Sequence, residues 1–502
     1  MRLKYLFLYI VFTLSLFAST LHLSTSSNPA RLNPLIATDS ASGEIANFIF
    51  NSLVKYDASG QNVIGDLAQS YKRISPTVIE FKLRHGVKWH DGKPFSADDV
   101  VFTYNLIISP KLMSPYSTDF RVVKEVRAMD DYTVRVTYTK PYFKALEIWM
   151  MGIVPKHILE NEKDIMGSSF NTHPIGTGPY FLKKLEFSKQ IELAANPSYF
   201  EHKAKIDTIV FHVIADSMTR FLMLKNGEID VDALEPMQYE RQLDKGFHQK
   251  FKHLELLSHS YTYLGFNLRL KKFQDPKVRE ALSLAINRQE LVDILFLNHG
   301  SVCTGPFLPG SKGFNEGVKA PQQDITRARA LLKSAGYDAA HPLEFEIATS
   351  NSNPIRPYAA EILQRQLLKV GVKVTLKVME WQAFLNTVVM PKKFETVLLG
   401  WGLSLAPDPY MIWHSDGDVP GGFNMIGYHS GRTDRLIEKM ENSTEPDKTA
   451  SLQRDIFASI VKDNPYLFLV VPNTINVYNR KIIGIKPTIN GIWEDYINWE
   501  KK

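Results

Sequence analysis

Short segments of alternating apolar and polar residues run along this chain, and longer segments with helical spacing separate them. Val78–Leu83 and Thr133–Tyr138 are mostly alternating and are flanked by turn residues, which predicts two strands. Residues 44–53 carry apolar side chains three or four positions apart, which predicts a helix. A strand is also predicted at 21–24, ahead of that helix.

The second half of the chain shows the same alternation more regularly. A strand at 264–270 precedes a helix at 275–287, in which Asp275 is the N-cap and Pro276 takes the first helical position. Two more helices end at a glycine, and each is followed by a strand; the helices are predicted at 324–335 and 358–370, and the strands at 343–348 and 372–379. Such alternation predicts an α/β fold with helices covering a sheet.

The length of 502 residues exceeds what a single hydrophobic core usually supports, so two or three domains are expected. An apolar fraction of 44% and a charged fraction of 22% are ordinary for a globular protein. The net charge is +6, and apart from Lys271-Lys272 and Lys392-Lys393 the basic residues are scattered. No nucleic-acid partner is therefore expected.

The N-terminus has the parts of a secretory signal. Arg2 and Lys4 precede an apolar run at 5–17, and the small residue Ala18 follows. That run is shorter than the ~20 residues of a spanning helix, so cleavage after residue 18 is favoured over an uncleaved anchor. No cysteine lies near that point for lipid attachment, which indicates a periplasmic protein without a lipid anchor. The single cysteine, Cys303, cannot form an internal disulfide and is expected to be buried and inert.

Four ordered segments carry a more specific signal. Residues 83–105 read LRHGVKWHDGKPFSADDVVFTYN, with turn residues, then Pro94, then an N-cap at Ser96 or Asp98. Residues 174–182 hold two glycines and two prolines, which demand special backbone geometry. Together with 275–287 and 399–410, these segments resemble the family 5 extracytoplasmic solute-binding proteins, the dipeptide, oligopeptide and nickel receptors of ABC importers.

The resemblance implies an α/β fold like that of periplasmic binding proteins, with two lobes, three domains and a ligand cleft between the lobes. It implies hinge closure around a peptide, a membrane permease as partner, a monomer, no cofactor and no catalysis. The corresponding division is a signal at 1–18, domain I at 19–53, 172–260 and 468–502, domain II at 54–171, and domain III at 261–467.

The loop at 399–410 is the main candidate for ligand contact. Gly400 and Gly402 flank Trp401, which lets backbone approach a ligand beside a flat apolar wall. Peptide receptors of the family carry, three residues after the tryptophan, an aspartate that pairs with the peptide ammonium; Ser404 stands there in this chain. Asp408 is the nearest carboxylate and is expected to replace it, with a plain turn residue as the alternative.

A second wall is implied at the loop after residue 34. Thr38, Asp39 and Ser40 match positions from which family receptors contact ligand, and their oxygens suit peptide amides. The alternative is that Ser40 and Ser42 cap the following helix.

Three further residues match positions at the edge of the cleft. They are Phe423 and Asn424, in a glycine-rich loop, and Trp381, after a predicted strand. An ordinary role in a loop and helix is the alternative for each.

Two other functions match parts of the sequence. A metal chelate is the alternative ligand, with His414 as its one candidate metal contact, but residues 142–155 lack the arginine of nickel receptors and no dense His/Cys cluster appears. His90 is expected to be a turn residue. An enzyme is suggested only by Ser459-x-x-Lys462, which matches the S-x-x-K of penicillin-recognising enzymes without their other motifs.

Overall fold

The computed structural model describes residues 19–60, 62–112, 114–404, 407–419 and 422–502, except for the side chain of Gln382. The proposed signal segment at 1–18 lies outside the described residues. Within the described ranges, no helix is both long and apolar enough to cross a membrane.

The strands are, in chain order, β1 (Thr20–Thr25), β2 (Val54–Tyr56), β3 (Val63–Gly65), β4 (Ala68–Ser75), β5 (Val78–Leu83), β6 (Val123–Asp130), β7 (Thr133–Tyr138), β8 (Tyr180–Glu186), β9 (Gln190–Ala195), β10 (Thr208–Val213), β11 (Val231–Leu234), β12 (Phe251–Leu257), β13 (Ser260–Phe266), β14 (Gly300–Val302), β15 (Glu344–Ser350), β16 (Lys373–Met379), β17 (Thr396–Gly402), β18 (Tyr466–Asn479), β19 (Ile482–Ile483) and β20 (Glu500–Lys501).

The α-helices are α1 (Ser40–Ile49), α2 (Ala97–Ile107), α3 (Lys156–Leu159), α4 (Ser217–Asn226), α5 (Pro236–Arg241), α6 (Lys245–Lys250), α7 (Lys271–Gln274), α8 (Pro276–Ala285), α9 (Arg288–Leu295), α10 (Ile325–Ser334), α11 (Ile355–Leu368), α12 (Trp381–Phe384), α13 (Tyr410–Trp413), α14 (Gly431–Glu441) and α15 (Pro446–Asp463).

The strands form three larger sheets. One has the order β1-β10-β9-β8, with β1 parallel to β10, and a second has the antiparallel order β4-β5-β7-β6. The third has eight strands, in the order β11-β18-β13-β17-β15-β16, and β12 and β14 also pair with β18. The parallel β15–β16 pair is covered by helices, as the alternating sequence predicts.

The buried side chains separate into two lobes. One set of cores joins residues before β13 to the C-terminal segment, including Ile482 and Trp499. The other set draws its buried members only from residues between Tyr261 and Val471. We call these lobe 1 and lobe 2. The chain therefore crosses between lobes at the β12–β13 connection and again inside β18.

Lobe 1 and lobe 2 meet end to end along one edge of β18. Strand β12 pairs with its second half, up to Leu257 opposite Asn473, and β14 begins at Gly300 opposite Pro472. At this hinge junction His299 of lobe 2 lies 2.8 Å from Glu240 and 3.1 Å from Glu255, both of lobe 1. Because each ring nitrogen faces a carboxylate oxygen, both nitrogens must donate, so this geometry requires the imidazolium form.

Most predicted elements are confirmed, but the helix predicted at 44–53 and the strand predicted at 264–270, which begins at Ser260, are wrong at both ends. The helix predicted at 44–53 begins at Ser40 and ends at Ile49, because Asp39 caps it. The strand predicted at 264–270 ends at Phe266, since Asn267 then bonds to Phe394 and to Arg269 and turns the chain. The N-caps at Ser96 and Asp275 are confirmed.

Two of the motifs meet in space. His90 accepts a hydrogen bond from the Gly176 N–H (3.1 Å) and donates to the Gly178 carbonyl (3.0 Å), so it is the structural turn residue that was predicted. Burial lowers the pKa of His90 to about 4, which keeps it neutral. The two glycines do not have a positive φ; they are needed because a Cβ at Gly176 would lie 1.9 Å from the Ile49 carbonyl oxygen.

The thiol of Cys303 is buried, as predicted. Its Sγ lies 3.4 Å from the Gly305 carbonyl, and burial raises its pKa to about 12. Such a thiol stays protonated and unreactive.

Candidate functional site

Strand β17 presents a free backbone edge. It pairs with β13 along its whole length, from Thr396 opposite Phe266 to Gly402 opposite Ser260. On the other side it pairs with β15 only at Thr396 and Val397. In the described part of the chain no strand continues that second ladder, so residues 399–402 can accept an added strand.

Trp401 stands on one face of this strand end, within an aromatic group. Its ring is parallel to Tyr263 at 6.3 Å and perpendicular to Phe423 at 5.9 Å. Its Nε1 donates to the Tyr466 hydroxyl at 3.4 Å. The ring is only partly buried, so a stable stack supports an indole that remains open to a ligand.

Arg356 lies against the same strand end, although no motif in the sequence predicted it there. A Cβ at Gly400 would be 2.9 Å from its Nη2, so the glycine makes room for the guanidinium. Its Nε is buried without a hydrogen-bond partner in the described part of the chain, and burial lowers its pKa. One signal was available: a basic residue in the first turn of α11 opposes the helix dipole, which a purely structural role does not favour.

The loop after Trp401 does not supply a free carboxylate. Gly402 and Ser404 are exposed, and the Leu403 N–H donates to the His259 carbonyl at 2.7 Å. Asp408 accepts from the Tyr410 N–H at 2.9 Å and from the Tyr142 hydroxyl at 3.4 Å.

The charge of Asp408 also has a cation beside it. Arg121 of lobe 1 lies 4.0 Å from its carboxylate. Burial, and after it the charge of Asp408, raises the pKa of Tyr142, which therefore stays a neutral donor. The structure thus places the expected ammonium partner against lobe 1.

The residues of the second predicted wall lie at the start of α1. Asp39 accepts from the backbone N–H and the hydroxyl of Ser42, at 2.8 and 2.6 Å, so it is the helix cap rather than Ser40 or Ser42. Thr38 and Ser40 are exposed and free to face a ligand.

Two cavities have Glu147 in their linings. One, of about 290 Å³, lies on lobe 1 and is lined by Ala37, Gly43, Asn47, Tyr116, Tyr142 and Glu147, among others. Because Tyr142 also touches Asp408, this cavity lies where the loop after β17 reaches lobe 1. The other, of about 300 Å³, lies between the lobes, with Tyr56, Tyr71 and Glu147 on one side and Ser311, Thr449 and Gln453 on the other.

The remaining predicted ligand contacts lie in different surroundings: one is exposed beside Trp401, one is buried and one is half-buried. Phe423 is 45% exposed beside Trp401, so it stays a candidate for ligand contact. Asn424 is fully buried, and its amide bonds to His414 and Tyr428, so it holds its own loop. Trp381 packs half-buried against the lobe 2 core near Phe384.

The residues suggested for metal binding or catalysis have other roles. His414 Nδ1 accepts from the Asp416 N–H at 3.1 Å, and its ring stacks on Tyr410. Among the described residues, no group of three or more His, Cys, Asp and Glu side chains is placed to hold a metal ion. The Ser459 hydroxyl is buried in α15 and lies 2.9 Å from the Thr433 hydroxyl, which is not the setting of an exposed nucleophile.

Two α/β lobes with a cavity between them, and a free strand edge beside a partly open indole on one lobe, are the arrangement expected of a solute-binding protein. The sequence model for "Bacterial extracellular solute-binding proteins, family 5 Middle" matches residues 62–423. The chain belongs to this family of extracellular solute-binding proteins.

Individual relatives agree in sequence and in fold. The chain is 30% identical over 480 residues to the oligopeptide-binding protein AppA of Bacillus subtilis, covering 91% of this chain and 87% of AppA. The structure of AppA in complex with a nonapeptide matches with a TM-score of 0.82 at 29% identity, covering 96% of this chain and 99% of that one. NikZ from Campylobacter jejuni in complex with Ni(L-His) matches with the same TM-score, identity and coverage.

Proposed function

We propose that this protein captures peptides in the cleft between its lobes and delivers them to the membrane permease of an ABC importer. The observation that carries the proposal is the free edge of β17, which ends at Trp401 and Gly402. A peptide held there adds a strand to the sheet, and its backbone amides pair in a way that tolerates many sequences. Relatives named for peptide binding support the same reading.

The ends of the peptide are recognised unequally. Arg356, beside the free edge, pairs with a carboxylate, because a guanidinium with a buried, unpaired Nε gains most from an anion. Ser404 offers an ammonium no counter-charge, and Asp408 already faces Arg121. The peptide's C-terminus therefore contributes more to affinity than its N-terminus.

The protein acts as a monomeric periplasmic receptor rather than an enzyme. The polar N-terminal residues and apolar run fit a cleaved signal at 1–18, and the relatives are binding proteins. Side chains of the peptide occupy the two cavities beside Glu147. No nucleic acid and no resident cofactor take part.

A metal chelate is the second candidate, favoured by the likeness to NikZ. With no protein cluster for a metal in the described ranges, the ion must arrive with its own ligands, and Arg356 would pair with their carboxylates. Titration with Ni(II) and L-histidine, each alone and together, separates this candidate from the first.

The test begins with protein incubated with a tryptic digest of casein and examined by native mass spectrometry. A retained peptide is then synthesised in four forms: free, N-acetylated, C-amidated, and N-methylated at single backbone amides. We expect N-acetylation to change affinity by less than threefold, and C-amidation and at least one N-methylation to weaken it about tenfold or more. Retention of no peptide, or equal affinity for all four forms, contradicts the proposal.

Arg356→Gln should remove the preference for the free carboxylate over the amide. Arg365→Gln is the matched control, because Arg365 lies on the same helix and its guanidinium pairs with Glu290 at the surface. The control should keep the wild-type preference.

A further inference from the structure

Glu441 of lobe 2 is buried between two cations of lobe 1. Its Oε1 lies 2.7 Å from Nη2 of Arg121, and its Oε2 lies 3.2 Å from Nζ of Lys140. The Glu441 side chain is only 3% exposed, so each carboxylate oxygen has exchanged water for one cation. A buried carboxylate without such partners is strongly destabilising.

Backbone and aromatic contacts surround this ion pair. The Phe143 N–H of lobe 1 donates to the Glu441 carbonyl at 3.0 Å. The guanidinium of Arg121 lies over two rings, Tyr142 of lobe 1 at 5.9 Å and Tyr410 of lobe 2 at 5.5 Å. Arg121 therefore touches three groups of lobe 2: Glu441, Asp408 and the Tyr410 ring.

Within lobe 2 alone, a glutamate at position 441 is unfavourable. It is the last residue of α14, where a negative charge opposes the helix dipole. A carbonyl in that last turn has no partner inside the helix, and here its partner is the Phe143 N–H of lobe 1. Both the carboxylate and the carbonyl are thus satisfied across the cleft.

We propose that Glu441, with Arg121, Lys140 and Phe143, forms a latch that holds the two lobes closed whatever ligand lies between them. None of these residues belongs to the β12–β13 connection or to β18, where the chain crosses between lobes. A rotation that opens the lobes about those crossings therefore separates the latch and returns Glu441 to water. The latch favours the closed conformation even without ligand. It therefore determines how much of the ligand's binding free energy is needed to close the lobes.

Asp408 has a different role in this arrangement from the one expected from its sequence position. Through Tyr142 and Arg121 it ties the loop after Trp401 to lobe 1. The latch thus positions the loop that contacts ligand, and Asp408 is a positioning residue. This inference goes beyond the proposed function, because it does not depend on which solute is bound.

The experiment measures the distance between the lobes. Spin labels are attached at Lys72→Cys in lobe 1 and Lys333→Cys in lobe 2, both exposed positions, while the buried Cys303 stays unlabelled. Double electron–electron resonance is recorded without ligand and over a titration with the casein digest. We expect Glu441→Gln to lose most of the short-distance population without ligand and to need on the order of tenfold more digest to recover it.

Two further variants make the result specific. Glu445→Gln is the control, because Glu445 is 74% exposed and its side chain pairs only with Lys448 at 3.8 Å within the described residues. In the double variant Glu441→Gln, Lys140→Met, the effect should be close to that of Glu441→Gln alone, because the Lys140 ammonium meets lobe 2 only at Glu441 among the described residues.

An unchanged ligand-free distance distribution in Glu441→Gln overturns the latch, as does a double variant whose effects multiply. Failure of the casein digest to restore the short-distance population in Glu441→Gln at any concentration contradicts the proposed function instead. The ligand-free comparison still decides the latch in that case.

Discussion

At the scale of single residues, Trp401 carries the clearest prediction. Its ring is held by Tyr263, Tyr466 and Phe423 but is left partly open, so its removal should cost binding and not folding. Trp401→Ala is expected to weaken peptide affinity by about 2 kcal/mol, the size of an aromatic hot spot. Calorimetric titration with the retained casein peptide measures it.

Trp401→Phe keeps a flat apolar face and should lose less than half of that free energy. Urea unfolding of Trp401→Ala should still show one cooperative transition, with a midpoint only modestly lower than that of the wild-type protein, because the ring is partly exposed. Wild-type affinity in the folded alanine variant would move the binding site elsewhere.

At the candidate site, residue patterns pointed to Trp401 and Phe423, whose rings the structure places 5.9 Å apart, and did not point to Arg356 or Glu441. Trp401 stood out because glycines flank it, and Phe423 was expected at the edge of the cleft. Arg356 and Glu441 were missed, since their partners, Gly400 and Arg121, are far away in sequence. Asn424 is different, because its partners His414 and Tyr428 lie only ten and four residues away, and the turn that brings them together is not visible in the glycine-rich sequence.

At the scale of elements, the free edge of β17 depends on Gly400. A Cβ there would lie 2.9 Å from Arg356 Nη2 and 3.0 Å from the Tyr261 carbonyl oxygen, whereas a Cβ at Gly402 would have nothing within 4 Å. Gly400→Ala should therefore lower the free energy of unfolding by about 1–3 kcal/mol through overpacking. Gly402→Ala should leave it unchanged within about 0.5 kcal/mol.

Urea unfolding measures the free energy of unfolding of both variants. Titration with the free and C-amidated peptides then measures whether Arg356 still recognises the carboxylate. Gly400→Ala should also reduce the preference for a free C-terminal carboxylate, because the guanidinium must move. Equal stability of the two glycine variants would mean that the strand end relaxes without cost.

Elements were predictable where local chemistry fixes them. Asp275 and Pro276 fixed the start of α8, and Val78–Leu83 and Thr133–Tyr138 were predicted with their observed bounds. The end of β13 was not predictable, since the Asn267 side chain turns the chain by bonding to Phe394, more than a hundred residues away. The division into three domains stays a prediction.

At the scale of the whole molecule, the hinge junction carries a titratable link between the lobes. Burial works against the charged form of His299, but the hydrogen bonds to Glu240 and Glu255 outweigh it and raise the pKa above the ordinary value of 6.5. A raised folded-state pKa gives stability that is fully present below pH 6.5 and is lost as pH rises through the folded-state value. The Tyr239 ring lies beside His299, and the His253 ring lies beside Tyr239; both are unchanged when His299 is replaced.

His299→Gln should therefore lower the melting temperature most at pH 5.5 and progressively less toward pH 9. Differential scanning calorimetry across that range measures the difference from the wild-type protein. His341→Gln is the control, because His341 is 83% exposed and its nearest carboxylate, Asp338, lies at 3.7 Å. A destabilisation that is independent of pH would show that His299 contributes packing alone.

Strand β18 finally implies an order of folding that differs from the order of synthesis. Lobe 1 contains β1, yet its core also needs the second half of β18 and Trp499, which follow all of lobe 2 in the sequence. Lobe 2 lies wholly between those parts and has all its buried residues once Val471 is available. A nascent chain that stops near residue 471 therefore contains every buried residue of the lobe 2 cores but only part of the lobe 1 core. The lobe that begins first is the last to be completed.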